Sequence, residues 1–169
     1  KLQAGIIISQ KSPKSLSFEN HNHKACLKKA MVTAEKYCSS NNIQLTPLRR
    51  KVYEFLIEDH KAVGAYKILD MLRDAGYSSN PPIAYRVLDF LVEHGFAHKV
   101  EGLNAFVACA NPGTSHLPAF MICRKCDKVA EIQDTEPKLK LADPSRAMGF
   151  EIEEAIIEMT GVCSSCVEI

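Results

Sequence analysis

Asn80-Pro81-Pro82-Ile83-Ala84-Tyr85-Arg86-Val87-Leu88-Asp89-Phe90-Leu91-Val92-Glu93-His94-Gly95 carries its own start and stop signals. An asparagine side chain can cap the first free N–H groups of a helix, and proline loses nothing at the next position. A glycine just past the end accepts the left-handed conformation that closes the last turn. Between these signals Ala84, Val87, Leu88 and Leu91 recur at helical spacing and define one apolar face. Pro82, Ile83, Tyr85 and Arg86 are left projecting from the first turns.

Upstream, the short link Gly76 to Ser79 joins this helix to another, from about Gly64 to Asp74, with Ile68, Leu69 and Leu72 inward. Before that, Thr46-Pro47 opens a helix running to about His60, whose buried stripe is Leu48, Val52, Phe55 and Leu56. A first helix starts at Lys24, with Leu27, Ala30, Met31, Ala34, Tyr37 and Cys38 on one face, and Asn41-Asn42 ends it. Downstream, Phe96 to Val100 and Asn104 to Ala108 alternate as two short strands around Glu101-Gly102-Leu103. Two helices joined by a tight turn and followed by a β-hairpin make a winged helix-turn-helix. Such folds present the N-terminal residues of the second helix to base edges in the DNA major groove. Periodicity alone is equally served by a plainly packed helix, with Tyr85 at the core edge and Arg86 solvated.

The second half carries Cys123-x-x-Cys126 and Cys163-x-x-Cys166. Two residues between thiolates let both sulfurs of a pair reach one ion, and two pairs complete the tetrahedral all-thiolate site of structural zinc. A redox dithiol explains one pair but not two. A disulfide framework fits poorly with seven cysteines, an odd number. Phe120 to Ile122 and Val129 to Ile132 read as strands bent at the first pair. A helical stretch opens at Thr135-Glu136-Pro137 and runs toward Met148, with Pro144 expected to interrupt it. Phe150 to Met159 reads as a third strand. Such a small open sheet leaves an edge that a second copy could pair with across a two-fold axis.

At 46% hydrophobic residues the chain can bury a real core. Ile6-Ile7-Ile8 is too short for a signal or membrane-spanning segment, so the expectation is a soluble cytoplasmic protein with no membrane partner. The net charge of +1 hides an asymmetry. Residues 1–102 carry 15 Lys+Arg against 10 Asp+Glu, and residues 103–169 carry 6 against 10. A basic first half suits a polyanion and an acidic, cysteine-bearing second half suits a control unit, although ordinary solvated charge gives the same totals.

Leu45-Thr46-Pro47-Leu48-Arg49, Pro81 to Leu88 and Gly95-Phe96-Ala97-His98-Lys99-Val100 closely resemble motifs of the ferric uptake regulator family. Cys123-Arg124-Lys125-Cys126 and Gly161-Val162-Cys163-Ser164-Ser165-Cys166 continue the resemblance in order and spacing, over roughly Ala34 to Glu168. Within that family the chain looks most like the zinc-sensing branch. The resemblance implies an α+β fold: a flexible extension over 1–23, a winged-helix DNA-binding domain over 24–108, a hinge over 109–116 and a zinc-binding α/β dimerisation domain over 117–169. It implies a homodimer that binds A·T-rich inverted repeats in double-stranded DNA and represses zinc-acquisition genes when loaded with zinc. It also implies two Zn²⁺ per subunit, one structural and one regulatory.

By that resemblance the regulatory ligands are His98, Cys109, His116 and Glu131. Two imidazoles, a thiolate and a carboxylate form a reasonable four-coordinate zinc set. Taken singly, each has an ordinary reading: a satisfied polar histidine, a small buried cysteine, a solvated glutamate. A thiolate among imidazoles suits zinc better than iron or manganese, so an iron- or peroxide-sensing relative is the alternative. For DNA, Arg86 could donate to a guanine edge and Tyr85 could meet thymine methyls or phosphate. Arg49, Tyr66 and Lys67 are candidate phosphate contacts, whereas Arg50 and Lys51 are as readily solvated surface.

A zinc enzyme acting on nucleotides would need H-x-E with P-C-x-x-C, H-E-x-x-H or a phosphate-cradling glycine loop, and the sequence contains none of these. The expectation is therefore no enzyme and no small-molecule substrate. A zinc ribbon serving protein contacts alone is the remaining rival.

Overall fold

The computed structural model describes residues 23–59, 61–78, 80–114, 116, 118–132, 144–153 and 155–167. Residues 1–22 of the expected extension, Ser115 of the hinge, Leu117 at the start of the expected dimerisation domain, the expected helix from Thr135 as far as residue 143 and the end of the resemblance at Glu168 lie outside the described residues.

Four helices come first: α1 (His23–Ser40), α2 (Pro47–Asp59), α3 (Ala65–Asp74) and α4 (Pro81–Glu93). Their boundaries follow the local chemistry. Thr46 Oγ1 accepts the Arg49 N–H at 3.3 Å, and Asn80 Oδ1 accepts the Ile83 N–H at 3.2 Å. Each satisfies an N–H that a helix start leaves free. After α4, Gly95 adopts φ +66°, its N–H reaches Val92 O, and the Phe96 N–H reaches Leu91 O, a paired bonding pattern that turns the chain out of the helix. The apolar stripes converge as the spacing requires. Val52, Tyr53, Leu56, Ile68, Leu72, Leu88, Leu91 and Phe96 are fully or almost fully buried in one cluster. Each such burial stabilises by about 1.5–3 kcal/mol.

The wing follows as β1 (Ala97–Val100) and β2 (Ala105–Ala108), antiparallel with His98 opposite Val107. Its turn, Glu101–Leu103, is a single 3₁₀ turn closed by Asn104 at φ 45°. The α2–α3 link also belongs to this layer, since Val63 and Phe106 exchange backbone hydrogen bonds of 2.8 and 2.9 Å.

The second sheet has the order β4-β3-β5, built from β3 (Ala119–Cys123), β4 (Val129–Ile132) and β5 (Ile157–Gly161). β3 pairs antiparallel with β4 and parallel with β5. A second small core joins the two layers: Val100 and Val107 of the wing pack with Phe120, Ile122 and Val129 of the sheet, flanked by Ala62 and Leu103.

The expected strand Phe150 to Met159 needs correction, because the observed strand is Ile157–Gly161. Gly149 takes φ +70° and the Phe150 N–H returns to Ser145 O at 2.9 Å. Phe150 thus closes a helical turn over 144–147 and is 64% exposed. Strand pairing begins only where the Ile157 N–H meets Pro118 O at 3.0 Å.

Candidate metal centres and nucleic-acid face

The topology dictates where the cysteine pairs meet. β3 ends at Cys123, the chain reverses through a turn in which Asp127 adopts φ 56°, and β4 departs. Because β5 runs parallel to β3, with Gly161 opposite Cys123, the segment after it emerges at the same end of the sheet. The four sulfurs of Cys123, Cys126, Cys163 and Cys166 lie within 4.8 Å of one another. Cys126 and Cys163 sulfurs are 3.8 Å apart, and the Cys163 N–H donates to Cys123 Sγ at 3.3 Å. That N–H draws the Cys123 thiol down to about 6, which favours its thiolate form. Cys166 is pushed up to about 12 by the hydrogen bonds it shares with Cys163 and Cys126 and by the charge of Cys123.

The second cluster gathers four separate segments. His98 lies on β1. Cys109 follows β2, its N–H continuing the hairpin to Phe96 O at 2.9 Å, which sets it diagonally across from His98 on the same face. His116 ends the connector, and Glu131 lies on β4 opposite Phe120. One donor atom from each lies within 4.8 Å of the others. His98 Nε2 is 3.2 Å from His116 Nε2 and 3.4 Å from Glu131 Oε1, and Cys109 Sγ is 3.6 Å from His116 Nε2.

The neighbours of these donors aim them inward. His116 Nδ1 donates to Thr114 O at 2.9 Å, which leaves the Nε2 lone pair facing the cluster. Glu131 Oε2 accepts the Ala110 N–H at 2.8 Å, leaving Oε1 toward the histidines. Burial pushes the Glu131 carboxyl up, but the His98 hydrogen bond, the Ala110 N–H and the charges of both histidines outweigh it, and the net shift is downward. Burial, aided by the Glu131 charge, holds the Cys109 thiol up at about 12.

Both clusters fit zinc by size. A tetrahedron with zinc–ligand distances of about 2.0–2.3 Å has edges of roughly 3.3–3.8 Å. The separations of 3.2, 3.4 and 3.6 Å in the mixed set and 3.8 Å between Cys126 and Cys163 sit on that scale. The His116 to Glu131 contact, at 2.7 Å, is shorter and has hydrogen-bond length. Two imidazoles, a thiolate and a carboxylate suit zinc; four thiolates suit a closed structural site.

On the opposite face of the winged helix Pro82, Tyr85 and Arg86 are exposed at the start of α4, and Tyr66 and Lys67 at the start of α3. Tyr66 and Tyr85 line one cleft of about 540 Å³ together with Lys99, Asp89 and Glu93. The structure sets Arg49 apart from this group. Its guanidinium stacks 3.6 Å over the Phe90 ring and donates to Gln44 O, so part of its donor capacity is used inside the fold. Arg50 pairs with Glu35 and Lys51 with Glu54.

Sequence reasoning missed Glu158, whose carboxylate bonds the wing turn. It also missed Tyr53, whose buried hydroxyl has no hydrogen-bond partner among the described residues. Neither leaves a motif: Glu158 lies within the stretch read as one strand from Phe150 to Met159, and Tyr53 stands beside the stripe of Leu48, Val52, Phe55 and Leu56 without belonging to it.

A profile of the ferric uptake regulator family matches residues 40–160. The zinc uptake regulation protein of Escherichia coli (strain K12) is 37% identical over 152 residues, 86% of each chain. A zinc uptake regulator complexed with zinc and DNA superposes with a TM-score of 0.78 at 35% identity, covering 87% of this chain and 96% of that one. Holo XcZur gives 0.76 over 83% of this chain and 97% of its own. Apo XcZur gives 0.50 over 84% and 98%. Both forms are 35% identical to this chain, so the difference between their scores is conformational, and this chain adopts an arrangement nearer the holo form. Among the described residues no helix is long and apolar enough to cross a membrane.

Proposed function

We propose that this chain, which belongs to the ferric uptake regulator family, is a zinc-responsive transcriptional repressor. As a zinc-loaded homodimer it would bind A·T-rich inverted-repeat operators and repress genes for zinc acquisition. The observation that carries this reading is the convergence of His98, Cys109, His116 and Glu131 on one point between wing, connector and sheet. The division into a winged-helix unit over 24–108, a hinge over 109–116 and a dimerisation unit over 117–169 is part of the proposal.

A bound Zn²⁺ would supply the positive charge and fixed four-coordinate geometry that these donors favour. His98 then holds the wing, Cys109 and His116 the connector, and Glu131 the sheet, so the reading head keeps one angle relative to its base. In a dimer that angle sets the distance between the two α4 helices, and half-site spacing in an operator reads it. A coupling of about 1–3 kcal/mol per site suffices for a switch, with DNA tightening zinc binding by the same factor. The holo-like arrangement supports this pose as the DNA-competent one. Cys123, Cys126, Cys163 and Cys166 would hold the second, permanent zinc.

Met148, Phe150, Ile156, Met159 and Val167 are exposed large apolar residues of the C-terminal unit, which supports burial against a second copy. In the DNA-reading role, Arg86 and Tyr85 would meet base edges, and Tyr66 and Lys67 phosphates, with Arg49 contributing only what its stacking on Phe90 leaves free.

The test is a titration of homodimer that keeps its four-cysteine zinc but has been emptied at the His98 cluster, with buffered Zn²⁺, Fe²⁺ and Mn²⁺, reading binding to an A·T-rich palindrome. Zinc should activate at far lower free concentration than the others. Equal activation by all three would overturn the zinc assignment and favour an iron- or manganese-sensing relative.

A further inference from the structure

The wing also touches the second sheet through residues that belong to neither candidate metal cluster. Glu158, on β5 opposite Phe120, extends its carboxylate to the wing turn. Its Oε1 accepts the Glu101 N–H at 2.6 Å and its Oε2 the Gly102 N–H at 2.8 Å. Hydrogen bonds to an ionised acceptor are the stronger kind, and two successive N–H groups on one carboxylate also fix orientation. The side chain of Glu101 is drawn the other way, to Lys99 Nζ at 2.9 Å, which keeps the two carboxylates apart. Gly102 has no positive φ to explain it. A Cβ there would lie 2.8 Å from Glu158 Oε2, so any larger residue must push that carboxylate away from the turn.

We propose that Glu158 is a positioning residue for DNA binding: it clasps the wing turn through the Glu101 and Gly102 N–H groups and holds the reading head closed independently of metal. The inference rests on the zinc-switch reading of the His98 cluster. One anchor leaves a rigid body free to swivel, and a second removes that freedom. The His98 cluster anchors the wing near the start of β1, and the clasp anchors the far end of the same strand. Between the anchors Val100, Val107 and Leu103 pack on Phe120, Ile122 and Val129. Because the clasp requires no ion, it raises the closed population before metal arrives and so sets the zinc concentration at which the switch operates.

Two variants break the contact from opposite sides. Glu158→Ala removes the acceptor, and Gly102→Ala displaces it with a methyl group while leaving every charge in place. Each should weaken both zinc affinity at the His98 cluster and operator affinity at saturating zinc by roughly three- to tenfold. Gly102→Ala should add nothing in the Glu158→Ala background, since the atom it displaces is gone. In protein whose His98 cluster has been emptied by mild chelation, amide exchange at Glu101 and Gly102 should quicken in both variants, while retention of the four-cysteine zinc shows that the fold is intact. Wild-type affinities in both single variants, or additive losses in the double variant, overturn the clasp. A wild-type protein whose DNA binding ignores zinc overturns the zinc-switch reading instead, and the amide exchange then decides the clasp by itself.

Discussion

The imidazoles of His98 and His116 meet edge to face, with Nε2 atoms 3.2 Å apart and ring planes at 88°. Both atoms also face Glu131 Oε1, at 3.4 and 2.7 Å. Three atoms that carry lone pairs crowd together here at the junction of wing, connector and sheet. They can share a proton carried by one of the ring nitrogens or a metal ion placed among them.

Replacing His98 with Ala and Cys109 with Ser together removes two of the four donors. The double variant should lose zinc-dependent operator binding, with at least about a hundredfold fall in zinc affinity at that cluster, while keeping one zinc per subunit on its cysteines. Fluorescence anisotropy on a palindromic duplex in zinc buffers reads the first effect, and metal content after dialysis reads the second. Undiminished zinc-dependent binding would remove this cluster from the switch.

Cys163→Ser acts differently. Its sulfur lies 3.8 Å from Cys126 Sγ and its N–H bonds Cys123 Sγ, so the loss opens the site joining the end of β5 to the β3–β4 turn. Apparent zinc binding in structural sites is worth about 10–16 kcal/mol, comparable with a domain's whole stability. The variant should lose the cooperative melt of the C-terminal sheet and fail to dimerise at any zinc concentration. Circular dichroism and sedimentation would show this, and a dimer of normal stability would refute a structural role.

Arg86→Ala and Lys67→Ala should separate base reading from phosphate contact. Loss of one good bidentate base contact costs about 1–3 kcal/mol of discrimination, so Arg86→Ala should bind operator and scrambled DNA more nearly alike. Lys67→Ala should weaken both equally and reduce the salt slope by about one. Competition binding at several salt concentrations distinguishes the two. Unchanged preference in Arg86→Ala would take that residue out of the base-reading role.

Tyr53 makes alkaline stability a test of burial. Burial, and secondarily the charge of nearby Cys109, hold its phenol well above the ordinary tyrosine range. The folded state thus favours the neutral form. The stability this contributes is complete below the unfolded value of about 10 and is lost as pH rises beyond it. Tyr53→Phe lacks that dependence and also removes a buried hydroxyl without a hydrogen-bond partner among the described residues. It should unfold at equal or higher denaturant concentration at pH 8 and show a shallower decline toward pH 11 than the wild type. Parallel decline in both proteins would place the alkaline lability elsewhere.

Much of this architecture was legible beforehand because its causes are local. Helix periodicity, the Thr46 and Asn80 caps, the glycines after α3 and α4 and the two-residue spacing of each cysteine pair act over a few positions, so reading them needs only neighbouring residues. The four-cysteine site was equally legible, since each pair is half a site by itself. His98, Cys109, His116 and Glu131 carry no such local mark, and only the family resemblance singled them out. The strand at Ile157–Gly161 was misplaced because its parallel partner, Ala119–Cys123, lies far away in sequence and supplies the register.

The sequence by itself determined the four helices, their order, the winged helix and the pairing of two Cys-x-x-Cys units suited to one ion, because short-range sterics, capping chemistry and ligand spacing decide these. Only the tertiary structure decided that four single donors from separate segments share one point, that Arg49 stacks on Phe90, and that Glu158 grips the wing turn beside Gly102. Those relationships join residues far apart along the chain, and no local propensity encodes a distance that only packing two layers against each other can create.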